Sequence, residues 1–220
     1  MSRNDEVDIP PPKRPPHERS LLWRTLQVPV QLAGTLAFQL QAFHVSRVPP
    51  TGGALLVSNH QSYLDPPLLG AKLTRAMAYL AKSELFENPA FGWLIRSLNA
   101  FPVKQGRGDV GAMKESIRLL QQGWLLNMFP EGSRTPDGKI HPAQKGAGLM
   151  IRRAGVPVVP VAIHGSYEAW PKGQKLPHPH PIRILYGHPV DLSDMKADDI
   201  RLWIDDTIAR MYDDLRAGRV

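Results

Sequence analysis

Two short blocks of the chain carry side chains that could do chemistry together. The first is Asn59-His60-Gln61-Ser62-Tyr63-Leu64-Asp65. A histidine held by a carboxylate has its tautomer fixed and offers the other ring nitrogen as a general base, so His60 and Asp65 form a candidate pair. In a continuous helix, five positions would set the two side chains about 140° apart around the axis. They meet only if His60 lies in a turn before a helix that Asp65 opens. Pro66 and Pro67 support that arrangement, because proline is tolerated in the first turn of a helix. The spacing alone fits a packed structural histidine equally well. The second block is Phe129-Pro130-Glu131-Gly132-Ser133-Arg134. A carboxylate and a guanidinium three residues apart around a glycine turn could grip a polyol and its phosphate, or could form a surface ion pair that contributes little. Farther on, Lys145 and Gly146 precede an apolar helical pattern.

Both blocks follow short apolar runs, Ala54–Ser58 and Trp124–Phe129, bounded by Gly, Pro or a charge as buried strands are. Similar runs occur at Met77–Ala81, Ala100–Val103, Val156–Ile163 and Ile182–Tyr186. Helical patterns alternate with them. One follows Asp109, a good N-cap, with Val110, Met113, Ile117 and Leu120 on one face and Gly123 as the stop. Another carries Ile200, Ile204, Ile208, Met211 and Leu215. The alternation predicts an α/β fold with a mainly parallel central sheet flanked by helices, and ligands at the carboxyl ends of its strands.

Three parts are expected: an arm at 1–20, a helical segment at 21–46 and a globular domain at 47–220. The arm holds five prolines within residues 10–16 and reads as disordered or polyproline-like. Thr25 to Ser46 is a 22-residue stretch without Lys, Arg, Asp or Glu. Its leucines, with Trp23, Phe38 and Phe43, suggest one or two amphipathic helices lying in a membrane interface or packing on the domain. Gln27, Gln31, Gln39, Gln41, Pro29 and Gly34 argue against a spanning helix.

At 220 residues the chain suits one domain with an appendage, and 22 prolines speak against an all-helical bundle. The absence of cysteine excludes disulfides, thiol nucleophiles and Cys-ligated metals. Residues 25–190 hold seventeen basic and eight acidic side chains, which points to an anionic partner. With aromatics at 7 % and no dense Lys/Arg run, nucleic acid is not expected. Gly106-Arg107-Gly108-Asp109-Val110-Gly111 satisfies a dinucleotide fingerprint, with Glu131 twenty residues on. However, Lys104 and Gln105 separate the strand from the first glycine, and Glu131 belongs to the second block. Ser58 and Ser62 flank His60 and suggest a Ser–His hydrolase, but near neighbours rarely align for that chemistry. His178 and His180 lack a third ligand nearby, so no metal site is expected.

Together, the blocks resemble the glycerophospholipid acyltransferase family over roughly residues 50–190. The likeness rests on the His-x4-Asp block at Asn59–Asp65, a second block at Ala100–Arg107, the Phe-Pro-Glu-Gly-Ser/Thr-Arg block at Phe129–Arg134 and a Pro-centred block at Val156–Ile163. It implies that His60 is the base and Asp65 its orienter. Glu131, Gly132, Ser133 and Arg134 would bind the acceptor, and Lys145 would contact a phosphate or coenzyme A. The family usually has an arginine where Gln105 stands, so Lys104 or Arg107 is expected to replace it. The family's membrane-seated N-terminal segment matches Leu21–Phe43. The activity implied is transfer of a fatty acyl group from acyl-CoA or acyl carrier protein to the free hydroxyl of a lysophospholipid such as 1-acylglycerol 3-phosphate. It would take place at the cytoplasmic face of the cell membrane, without metal or cofactor. Another lysolipid, an aminolipid or a glycolipid as acceptor, or a non-catalytic lipid-binding protein, are the alternatives.

Overall fold

The computed structural model describes residues 21–103 and 110–220. The arm at 1–20, the cap at Asp109, and Lys104, Gln105 and Arg107 therefore lie outside the described residues. Seven strands form one sheet: β1 (Gln41–Phe43), β2 (Ala54–Ser58), β3 (Met77–Lys82), β4 (Ala100–Val103), β5 (Leu125–Met128), β6 (Val158–His164) and β7 (Arg183–Tyr186). Their order is β1-β7-β6-β2-β5-β3-β4. Among the described strands, only the β6–β7 pair is antiparallel. Parallel neighbours need crossovers, and helices supply them. These are α2 (Asp65–Ala71), α3 (Pro89–Ser97), α4 (Val110–Gln121) and α5 (Lys145–Ala154), while the short α6 (Ser166–Ala169) follows β6 and α7 (Ala197–Ala217) closes the chain.

The period-two rule for strands divides the core in two. On one face Ala54 and Leu56 pack with Leu68, Leu69, Val159, Val161 and Ile163 beneath α2. On the other, Leu55 and Val57 pack with Leu119, Leu120, Trp124, Met150, Ile151, Ile200, Ile204 and Ile208 beneath α4, α5 and α7. The helical stripes expected in α4 and α7 thus face the sheet, except that Val110 is exposed. Gly148 brings α5 onto the start of α7, where any Cβ would collide with the Ala197 carbonyl.

The N-terminal segment is one helix, α1 (Leu21–Phe38), followed directly by β1. Pro29 and Gly34 do not break it. Its inner face is bonded down: the Gln27 amide donates to the Ala71 carbonyl at 2.8 Å and the Gln31 amide to the same oxygen at 2.6 Å, satisfying the end of α2. Gly34 abuts Leu40 and Leu68, and Phe38 is buried in the core. The opposite face exposes Val28, Leu32 and Leu36, spaced at helical intervals. The sheet also begins earlier than expected: β1 pairs with β7 from Gln41, ahead of the boundary read at residue 47. Among the described residues, no helix is long and apolar enough to cross a membrane.

Candidate active site

His60 follows the end of β2, and Asp65 is the first residue of α2. Between them the chain turns, with the Asp65 N–H reaching the Ser62 carbonyl at 3.3 Å. His60 therefore lies before the helix, as the spacing demanded. Its Nδ1 is 2.9 Å from Asp65 Oδ2. The same oxygen accepts the N–H of Gln61 at 2.7 Å and of Ser62 at 2.8 Å. Three donors on one fully buried oxygen suit an ionised carboxylate, which can only accept. Nδ1 is thereby the protonated nitrogen, and Nε2 carries the lone pair.

The second block encloses the same histidine. The Phe129 ring stacks on the imidazole with centroids 3.8 Å apart and an interplanar angle of 15°. Glu131 Oε1 accepts the His60 main-chain N–H at 2.8 Å, and Thr135 N–H donates to the His60 carbonyl at 2.8 Å. Glu131 Oε2 accepts the His141 N–H at 3.1 Å. Burial raises the Glu131 pKa above the usual carboxylate range, against the opposing pull of the His60 and His141 N–H groups. Glu131, expected as an acceptor ligand, here has one oxygen on the His60 main-chain N–H and the other on that of His141. Gly132 is left-handed with φ 76°, and a Cβ there would run into the Gln144 amide. That tight turn exposes Gly132 and Ser133 and sends the Arg134 guanidinium over the Tyr63 ring, 3.4 Å from its centroid.

Lys145 is exposed at the first residue of α5. The preceding Gln144 is tied to the same loop, through its N–H to the Pro130 carbonyl at 2.8 Å and its amide to the Glu131 carbonyl at 3.2 Å. The structure thus brings His60, Asp65, Glu131, Gly132, Ser133 and Arg134 together, with Lys145 on the adjoining helix end. Lys104 and Arg107 follow β4, outside the described residues. Neither flanking serine is bonded to His60. Ser58 Oγ donates to Asn127 Oδ1 at 3.1 Å, and Ser62 Oγ to the Trp170 carbonyl at 3.0 Å. The hydrolase arrangement is therefore not formed. Phe129, Thr135, Tyr63 and Trp170 carried no assigned role in the sequence; the available signals were the places of Tyr63 inside the first block and Phe129 inside the second.

A mostly parallel α/β sheet presents a carboxylate-held histidine at its strand ends, with neither flanking serine bonded to it, an arrangement whose chemistry suits proton abstraction by Nε2. The Acyltransferase family model matches residues 41–164, and the chain belongs to that family. It is 34 % identical over 149 residues to a chloroplastic 1-acyl-sn-glycerol-3-phosphate acyltransferase of Arabidopsis thaliana, covering 66 % of this chain and 41 % of that protein. A Bacillus subtilis 1-acyl-sn-glycerol-3-phosphate acyltransferase is 27 % identical over 156 residues, covering 70 % and 75 %. Among solved structures, the 1-acyl-sn-glycerophosphate acyltransferase PlsC of Thermotoga maritima superposes with a TM-score of 0.76 at 30 % identity, covering 88 % of this chain and 81 % of that one. The chain spans about two fifths of the length of the two chloroplastic relatives, from Brassica napus and Arabidopsis thaliana.

Proposed function

We propose that the protein moves a fatty acyl group from a thioester donor, acyl-CoA or acyl-acyl carrier protein, to the free hydroxyl of 1-acylglycerol 3-phosphate, giving phosphatidic acid. The observation that carries this reading is the His60 Nδ1 to Asp65 Oδ2 contact at 2.9 Å, which leaves Nε2 as a base, in a chain whose curated relatives bear that activity. His60 Nε2 takes the hydroxyl proton as the oxygen attacks the thioester carbonyl carbon. Asp65 stabilises the imidazolium that results. The tetrahedral adduct collapses with cleavage of the C–S bond, and the sulfur leaves as thiolate. A thiol pKa near ~8.5 makes that departure easy, and the proton on His60 completes the free thiol. The bonds balance as one ester formed and one thioester broken, with no covalent enzyme intermediate and no cofactor.

Gly132, Ser133 and Arg134 would receive the acceptor's phosphate, with Lys145 meeting a phosphate of the acceptor or of coenzyme A and Lys104 or Arg107 adding charge. The outer face of α1, exposing Val28, Leu32 and Leu36 with Arg24 one turn earlier, supports seating at a lipid surface as a peripheral or monotopic protein, on the side of the membrane that we take to be cytoplasmic. Gln105, in the place usually held by arginine, favours one second reading: a same-family enzyme with a phosphate-free acceptor. The test is purified protein with labelled acyl-CoA and a panel of lysolipids, aminolipids and glycolipids. Phosphatidic acid as the dominant product supports the proposal; transfer only to phosphate-free acceptors overturns it.

A further inference from the structure

We propose that Tyr63 positions Arg134, serving as an aromatic platform that aims the edge of the guanidinium at the anionic group of the acceptor. The inference rests on the acceptor reading above and deepens it.

Tyr63 stands apart from the turn it belongs to. Gln61, Ser62 and Asp65 are buried, whereas Tyr63 is 56 % exposed. Its ring nevertheless has two partners. Trp170 tilts against it with centroids 5.4 Å apart, and the Arg134 guanidinium lies 3.4 Å from the ring centroid. A stacked guanidinium uses its flat face on the ring and keeps its N–H edge for a planar or tetrahedral anion. One of those edge nitrogens, Nη1, is shielded from solvent and has no hydrogen-bond partner among the described residues. A cationic donor in that state is short of one acceptor.

The platform is also set at the right place. Tyr63 lies three residues from His60, and Thr135, next to Arg134, donates to the His60 carbonyl at 2.8 Å. In 1-acylglycerol 3-phosphate the phosphate is carried on the carbon beside the one bearing the free hydroxyl. An anion held by Arg134 therefore keeps that hydroxyl near the base. An unsupported arginine would have to give up its rotamer freedom on each binding event, whereas a stacked one has already done so. Trp170 tilts against Tyr63, and its own Nε1 donates to the Gln174 carbonyl at 2.9 Å.

The test compares wild type, Tyr63→Phe, Tyr63→Leu and Arg134→Ala on 1-acylglycerol 3-phosphate and on 1-monoacylglycerol of the same chain length, each in mixed micelles with acyl-CoA. Tyr63→Leu should raise KM for the phosphorylated acceptor roughly tenfold, as expected for losing a partly desolvated cation–π contact. Its kcat, its KM for acyl-CoA and its rate on 1-monoacylglycerol should stay within about twofold, and Tyr63→Phe should match wild type. Because Tyr63 is largely exposed, both variants should melt close to wild type; if the leucine variant does not, Tyr63→Gln takes its place. Equal losses on both acceptors would make Tyr63 structural and overturn the inference, as would an unchanged KM in Tyr63→Leu beside a raised one in Arg134→Ala. A wild-type enzyme with no preference for the phosphorylated acceptor would overturn the acceptor reading, and this inference with it.

Discussion

Replacing Asp65 by asparagine separates geometry from charge at this site. Asp65 Oδ2 accepts three hydrogen bonds, two of them from the main-chain N–H groups of Gln61 and Ser62. Those fixed donors require an acceptor, so the asparagine carbonyl oxygen must occupy the Oδ2 position and its amide must take the place of Oδ1, which has no partner. The His60 Nδ1–H bond and its tautomer then survive. What disappears is the negative charge facing the imidazolium. Two unit charges about 4 Å apart at an effective dielectric of about 20 attract by about 4 kcal/mol, or roughly three decades of rate. Asp65→Asn should therefore lower kcat about a thousandfold and leave both KM values within a few-fold, with a modest fall in melting temperature from the amide NH₂ buried without an acceptor. The assay is steady-state thiol release with acyl-CoA, beside nitrogen NMR of the His60 ring. Retention of more than about a tenth of wild-type turnover would refute imidazolium formation, and a switched ring tautomer would refute the positional argument.

His60→Ala should remove activity by at least the ~10²–10⁴ typical of lost general-base catalysis while the protein stays folded by circular dichroism. Glu131→Gln leaves one of the two main-chain N–H groups facing an amide NH₂, so melting temperature and kcat should fall together, with little change in either KM. Because burial raises the Glu131 pKa, the folded protein holds that proton to higher pH than the unfolded chain does, and this contribution to stability is full below the unfolded pKa and lost as pH rises through the folded one. The gap in melting temperature between wild type and Glu131→Gln should thus be widest in acid and narrow towards neutral pH. Leu32→Ser with Leu36→Ser should reduce co-sedimentation with anionic liposomes while sparing turnover on micellar substrate; undiminished sedimentation would remove α1 as the membrane-contacting face. Deleting residues 1–46 is a poor substitute for that experiment, since it also takes Phe38, Leu40 and β1 out of the core and sheet.

The strands that carry the site were legible because each is a short apolar run closed by Gly, Pro or charge, fully buried in β2, and β2 and β4 fall within the bounds read from sequence. The His60–Asp65 pair was legible because five residues and two prolines constrain how the turn can run. The contacts that finish the site were not. Phe129 on His60, Glu131 on the His60 N–H and Arg134 on Tyr63 each join residues about seventy positions apart, and nothing local encodes which loop closes over which. Strand β1 was missed because three residues inside an uncharged helical stretch show no alternation. Its pairing with β7 depends on chain that comes much later.

That pairing has a consequence for how the molecule is made. On a ribosome α1 is synthesised before its docking carbonyls at Gly70–Leu73 exist, and β1 cannot take its place in the sheet until Arg183–Tyr186 have emerged. Contacts this distant in sequence close late, because the intervening loop's entropy must be paid first. The nascent chain therefore carries an apolar helix with neither its helical partner nor its edge strand in place. A lipid surface would shelter that helix through synthesis. Loss of the last forty residues would leave β1 unpaired even though every residue around His60 had already been made.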